Sequence, residues 1–147
     1  VSLMKTLIAY LTYSGNTEEI AFHVKDHLTN YGHHVDMYEI GFGILPDVSQ
    51  YDRIFLGTFT WDQGSTPDEM KDFVLDVGYK PDNIAVFGSG DTQFGGDDLF
   101  CLAAEKLAKF YHSQWPALKI EQSPRGHQEQ HIEQWIEGVL NNEPVFA

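Results

Sequence analysis

Cysteine is almost missing from this chain: Cys101 is the only one in 147 residues. A lone thiol excludes an internal disulfide and fits a reducing cytoplasm. Its plainest role is that of a small hydrophobe in a helix. Positive charge is also scarce. Nine Lys and Arg stand against 22 Asp and Glu, a formal net charge of −13. Such a surface repels the phosphates of nucleic acid and anionic membranes, so neither is an expected partner. It favours a basic protein reached by electrostatic steering. No apolar run approaches the ~20 residues that a membrane span requires. The opening Val1-Ser2-Leu3-Met4-Lys5 lacks a charged lead followed by a long apolar stretch, so no secretory leader is expected. Internal repeats and low-complexity tracts are missing too. What remains is a chain with 42% hydrophobic residues, long enough to bury a proper core and expected to form one domain over 1–147.

Two common phosphate-binding signatures are absent as well. There is no Gly-x-x-x-x-Gly-Lys-Ser/Thr, hence no P-loop for transferable phosphates and magnesium. There is no Gly-x-Gly-x-x-Gly after the first strand, hence no dinucleotide fingerprint. In their place stands Thr12-Tyr13-Ser14-Gly15-Asn16-Thr17. It lies between an apolar strand expected at 5–11 and an amphipathic helix expected at 17–31. The hexapeptide holds hydroxyls, one Gly, one Asn and no cation. A turn of this kind aims N–H groups and hydroxyls at one point, at the positive end of a helix dipole. That is a cradle for a phosphate bound once and kept. The alternative is a polar strand-to-helix turn with an ordinary Ser or Thr cap.

Two further loops bear on the choice. A third strand at 52–57 empties into Thr58-Phe59-Thr60-Trp61-Asp62-Gln63-Gly64-Ser65-Thr66-Pro67. A fourth, at 84–87, empties into Gly88-Ser89-Gly90-Asp91-Thr92-Gln93-Phe94-Gly95-Gly96-Asp97. In a parallel sheet all three loops emerge on one edge, at the carboxyl ends of the strands. That edge then offers hydroxyls, a Trp and a Gly/aromatic turn, a set suited to a planar, phosphorylated ligand. Asp62, Asp68, Glu69, Asp72, Asp91, Asp97 and Asp98 all lie on or beside these loops.

The other elements follow from periodicity. Helix one places Ile20, Ala21, Val24 and Leu28 inward, and Gly32 ends it. Strand two is expected at 33–40, with Val35, Met37 and Glu39 alternating against Asp36 and Tyr38. The stretch Gly41-Phe42-Gly43-Ile44-Leu45-Pro46 reads as a loop. Pro67 suits the first position of helix two, whose apolar face is Met70, Phe73, Val74 and Val77, with Gly78 as its stop. Helix three is expected from about 97 to 112, with Leu99, Leu102, Ala103, Leu107 and Phe110 inward. A short fifth strand is expected at 115–120. A turn at 124–126 leads to helix four, which runs to about 140, and a frayed tail covers 141–147. Five strands alternating with four helices imply an α/β fold of parallel βα units with right-handed crossovers.

Three blocks in this order resemble the flavodoxin family, specifically its short-chain members. They are Thr12 to Thr17, Gly57-Thr58-Phe59-Thr60-Trp61 with Gly64 and Pro67, and Phe87-Gly88-Ser89-Gly90-Asp91-Thr92. The resemblance covers nearly the whole chain. It implies a flavodoxin-like three-layer sandwich with a five-stranded parallel sheet of order 2-1-3-4-5. It also implies one tightly held FMN and low-potential, one-electron shuttling between redox proteins. By motif position, Thr12, Tyr13, Ser14, Gly15, Asn16 and Thr17 hold the FMN phosphate. Thr58, Phe59, Thr60, Trp61, Asp62 and Gly64 form the second flavin loop, with Trp61 stacked on one face of the ring. Ser89, Gly90, Asp91 and Phe94 form the third, Phe94 standing where many members place a Tyr; its alternative is a loop aromatic packed on helix three. Where many members carry Gly after the Trp, this chain has Asp62. Asp adopts a positive-φ turn less readily, by about 1 kcal/mol, so the one-electron-reduced flavin is expected to be less favoured here. Acidic side chains disfavour the reduced anion, and each ~1.4 kcal/mol lowers a one-electron potential by about 60 mV.

The resemblance implies partners of two kinds. Donors are of the ferredoxin/flavodoxin–NADP reductase type, and acceptor redox proteins dock on the acidic flavin edge of a monomeric, cytoplasmic carrier. No catalytic acid, base or nucleophile is required. An FMN-dependent reductase of quinones or small molecules on the same fold is the alternative. It needs a substrate pocket from an insertion or a dimer partner, and the chain shows no such insertion. A phosphoacceptor receiver module wants acidic residues where Thr12 and Thr58 stand. No metal is expected. His23/His27 and His127/His131 have ligand-compatible spacing but lack further ligands, and His33-His34 is expected to have no special role.

Overall fold

The computed structural model describes residues 3–12, 15–59, 67–90, 102–121 and 127–141. Five strands form one parallel sheet: β1 (Lys5–Tyr10), β2 (His34–Glu39), β3 (Arg53–Phe59), β4 (Ile84–Gly90) and β5 (Leu118–Glu121). Their order is β2-β1-β3-β4-β5, as expected. The helices are α1 (Asn16–Asn30), α2 (Asp68–Val77), α3 (Leu102–Phe110) and α4 (His127–Leu140). A short 3-10 turn, Val48–Gln50, sits in the β2–β3 connection.

The central strands are apolar on both faces because both faces are covered. On one face Ile8, Phe55 and Phe87 meet Ile20, Val24 and Leu28 of α1 and Ile132, Trp135 and Ile136 of α4. Trp135 receives Phe55 and Phe87 edge-on, at centroid distances of 5.7 and 6.4 Å. Its indole N–H donates to the Pro116 carbonyl at 2.9 Å. On the other face Leu7, Leu56 and Val86 meet Met70 and Phe73 of α2 and Ala104 and Leu107 of α3.

Several sequence expectations need correction. β3 and β4 continue past 57 and 87, so Thr58, Phe59, Ser89 and Gly90 are strand residues. The sheet needs two of the glycines on these strands. A Cβ on Gly57 would lie 2.3 Å from the Phe87 ring, and one on Gly88 would lie 2.7 Å from Ala104 Cβ. Both glycines mark close approach, and Gly88, expected to open a loop, stays within the strand. Pro67 is the cap of α2 and not its first residue. β5 begins at Leu118, beyond Pro116, which has no N–H for a ladder. Phe110 faces solvent, with the Lys80 ammonium 4.2 Å from its ring centroid. His33, expected to be idle, is buried; its Nδ1 accepts the Met4 N–H at 2.9 Å. Tyr38 packs onto the second core face against Phe73 instead of lining a polar face.

Candidate cofactor-binding site

Parallel strands deliver the residues after β1, β2, β3 and β4 to one edge of the sheet. β1 ends at Tyr10, and Leu11 extends its pairing by donating to the Gly57 carbonyl at 2.9 Å. The chain then turns. The Gly15 N–H donates to the Thr12 hydroxyl at 3.0 Å, closing the turn on itself. Gly15 caps α1 in the left-handed region, at φ 94° and ψ −9°. Nothing lies within 4 Å of the place a Cβ would take, so the demand for Gly here is conformational, not steric.

Thr12 accepts in that bond, which leaves its own O–H hydrogen to donate elsewhere. Asn16 opens the helix and Thr17 follows it. The first N–H groups of any α-helix lack intrahelical acceptors and point out of its positive end.

Thr17 and Ser89 supply the closest link between this turn and the rest of the edge. Their hydroxyls lie 2.8 Å apart, joining the start of α1 to the end of β4. Thr17 is 1% exposed and Ser89 4%. Two hydroxyls carry two hydrogens, and their mutual bond uses one. The other can serve one more acceptor. Thr58 is also fully buried, but its hydroxyl donates to the Phe59 carbonyl at 3.0 Å. Phe59 is half-buried against the second core face. The structure therefore brings Thr12, Gly15, Asn16, Thr17 and Ser89 together, and sets the Thr58 hydroxyl to a strand-end bond of its own. Gly90 ends β4. Tyr13, Ser14, Thr60, Trp61, Asp62, Gly64, Asp91 and Phe94 lie outside the described residues, as do Cys101 and the start of the expected third helix.

One feature of the edge escaped sequence reasoning. Tyr10 is buried beneath the start of α1. Burial, then the charges of Glu39 and Glu18, holds its phenol above the ordinary value. Glu18 and Glu19 occupy the first turn of α1, where the helix dipole favours carboxylates. The signal was the alternation of β1, which sends Ile8 and Tyr10 to the same face. Among the described residues the donors of this edge are hydroxyls and N–H groups. Thr12, Gly15, Asn16, Thr17 and Ser89 include no Lys or Arg. Such a set fits a phosphate monoester held by hydrogen bonds and a helix dipole, the headgroup of FMN among them.

The flavodoxin family model matches residues 8–135, from β1 into α4. The chain belongs to the flavodoxin family. Among curated relatives it is 33% identical over 139 residues to probable flavodoxin 2 of Bacillus subtilis (strain 168), spanning 88% of this chain and 90% of that one. Oxidised flavodoxin 2 from Bacillus cereus superposes with a TM-score of 0.81 at 33% identity, over 94% of this chain and 99% of the other. A short-chain flavodoxin associated with a non-canonical PDU bacterial microcompartment gives a TM-score of 0.83 at 27% identity, over 95% and 99%. Flavodoxins are electron-transfer proteins and not enzymes, and the family normally binds FMN. Among the described residues no helix is long and apolar enough to cross a membrane.

Proposed function

We propose that residues 1–147 form one FMN-binding unit that works as a low-potential, one-electron carrier in the cytoplasm. It takes electrons from an NAD(P)H-dependent reductase of the ferredoxin/flavodoxin type and passes them, as a monomer, to acceptor redox proteins that dock on its acidic edge. The observation that carries this reading is the cation-free cradle at the start of α1: the Thr12–Gly15 turn, the helix N-terminus and the buried Thr17–Ser89 pair. FMN, when bound, supplies the redox chemistry, accepting and releasing single electrons. The chain supplies the rest. Thr12, Asn16 and Thr17, with Tyr13, Ser14 and the N–H groups of the turn, hold the phosphate. Trp61 and Phe94 cover the ring, with Thr58 to Asp62, Gly64 and Ser89 to Asp91 shaping the slot around it. Glu18, Glu19 and Glu39 make the edge negative, which opposes the addition of electrons and lowers the potential.

The test is direct. The purified protein should show a flavin spectrum, or take up added FMN in a one-to-one ratio, and then accept electrons stepwise under potentiometric control. A colourless protein that refuses FMN at high concentration refutes the reading. NAD(P)H should not reduce the loaded protein until a reductase is added.

A further inference from the structure

We propose that the loop from Gly41 to Pro46 is an apolar docking tip for a basic redox-protein partner. This rests on the carrier reading above and adds where the partner seats. β2 delivers the loop to the same edge as the cradle. Ile40 is buried and donates to the Tyr10 carbonyl at 2.8 Å, and Phe42 donates to the Glu39 carbonyl at 3.1 Å. Beyond the tip Leu45 packs on the second core face, and Val48 is buried in it. The loop is thus pinned at both ends, and its middle stands clear. Phe42 is 68% exposed and Ile44 93%. Gly41 and Gly43 hold left-handed φ values of 95° and 81°, with nothing within 4 Å of either Cβ position. Two large apolar side chains are held in water where the core lies within reach of the same loop. Such a patch marks a surface that another molecule covers.

Charge selects the occupant. Glu39 ends β2 just before the tip, and Glu18 and Glu19 in the first turn of α1 and Asp68 and Glu69 in the first turn of α2 lie on the same edge of the sheet. Among the described residues of these flanking turns Lys71 is the one cation, and it lies 3.9 Å from Asp68. Lys5, Arg53 and Lys80 sit at the starts of strands or just before them, on the opposite edge. The partner that fits has an apolar recess ringed by Lys and Arg. Apolar contact at the centre would then be shielded by charge pairs at the rim. Nucleic acid and anionic membranes meet the wrong sign. A second copy of this chain would bring two acidic edges together. A second exposed apolar group, Leu75, Tyr79 and Phe110, lies on the opposite edge and provides a control surface.

The test uses the FMN-loaded protein and a purified ferredoxin/flavodoxin–NADP reductase, titrated by calorimetry and followed by stopped flow. The variants are Phe42→Ser/Ile44→Ser and, as control, Leu75→Ser/Tyr79→Ser. The first pair should weaken the complex about tenfold or more. The loss should fall on dissociation, with association at low salt and FMN affinity unchanged. The control pair should bind as the parent does. Glu19→Gln/Glu39→Gln should instead slow association and flatten its salt dependence. Equal affinity of parent and Phe42→Ser/Ile44→Ser overturns the proposal. So does a concentration-dependent dimer of the parent that this double substitution abolishes, because the occupant would then be a second copy. A parent that takes up no FMN, or exchanges no electrons with the reductase, refutes the carrier reading instead.

Discussion

Removing one hydroxyl of the Thr17–Ser89 pair tests whether the cradle is braced from behind. Both groups are almost fully buried and 2.8 Å apart. In Ser89→Ala the Thr17 hydroxyl keeps its burial and loses its partner. A buried hydroxyl left unsatisfied costs about 1–3 kcal/mol, more than the net gain from an average hydrogen bond. Thr17→Val leaves Ser89 in the same position and should cost a similar amount. Thr17→Val/Ser89→Ala removes both polar groups with little change of shape, so the double variant should be hardly worse than either single one. The coupling term of the cycle should therefore be about 1 kcal/mol or more in favour of the pair. For a chain of this size that corresponds to about 2–4 °C in Tm. Urea denaturation of the FMN-free protein measures it, read at constant m-value so that only the midpoint reports stability. Additive losses, with coupling within about 0.3 kcal/mol of zero, would refute the argument. FMN and riboflavin titrations of the same variants add a second reading. Thr17→Val should lower the preference for FMN over riboflavin, because on the proposed reading it removes a donor to the phosphate. Ser89→Ala should spare that preference, since Thr17 keeps its hydrogen.

Three further outcomes are expected. Gly57→Ala places a Cβ 2.3 Å from the Phe87 ring and should destabilise by about 1–3 kcal/mol, and adding Phe87→Leu should restore part of it in thermal melts. Burial lowers the His33 pKa below its ordinary 6.5. The unfolded chain then takes up a proton first, so stability is full above pH 6.5 and falls as pH drops through the folded value. His33→Gln should lose that pH dependence in urea midpoints; Asp36, held below 3.8 first by the Tyr51 hydroxyl, acts only in more acid solution. The net charge of −13 opposes the arrival of a phosphate. FMN affinity should therefore rise as salt shortens the Debye length from about 30 to about 8 Å, while riboflavin affinity changes little; FMN binding that weakens with salt would point to a cation in the cradle.

The sheet was legible because its signals agree. Apolar runs at 5–11, 52–57 and 84–87, each followed by polar and Gly-rich residues, force parallel βα units and fix the edge where the loops gather. The strand ends were not legible. Gly88 and Gly90 read as part of a loop, yet parallel pairing carries β4 through them, with β3 and β5 at Gly88 and with β5 at Gly90, and pairing with β4 carries β3 past Gly57. Only the Phe87 ring above Gly57 and Ala104 above Gly88 reveal why Gly stands there. Helical period turned Phe110 inward, whereas the structure leaves it outside beneath Lys80. Local pattern sees neither a cation from another connection nor a neighbouring strand. For the same reason the motif names these hydroxyl-bearing residues but not their division of labour. Thr12, Thr17, Thr58 and Ser89 look alike in sequence. In the fold Thr12 closes its own turn, Thr17 and Ser89 hold each other, and Thr58 serves its own strand.

Under the proposed function, that division bears on how so acidic a protein retains a phosphate. A cation in the cradle would cancel the charge but would also attract carboxylates from the same edge. Hydroxyls and N–H groups have no net charge to lose. Their strength depends on being held in place and dry, not on the far field. The Thr12–Gly15 bond, the left-handed Gly15 and the buried Thr17–Ser89 pair fix such donors before any ligand arrives. Glu18, Glu19 and Glu39 stand apart from those donors, and under the proposed function their charge would steer a basic partner and press the potential down. On this reading the short-range grip and the long-range field are carried by different residues. Carboxylates on the surface and hydroxyls in the cradle should accordingly be separable by mutation, the former changing association rates and potential, the latter changing FMN affinity.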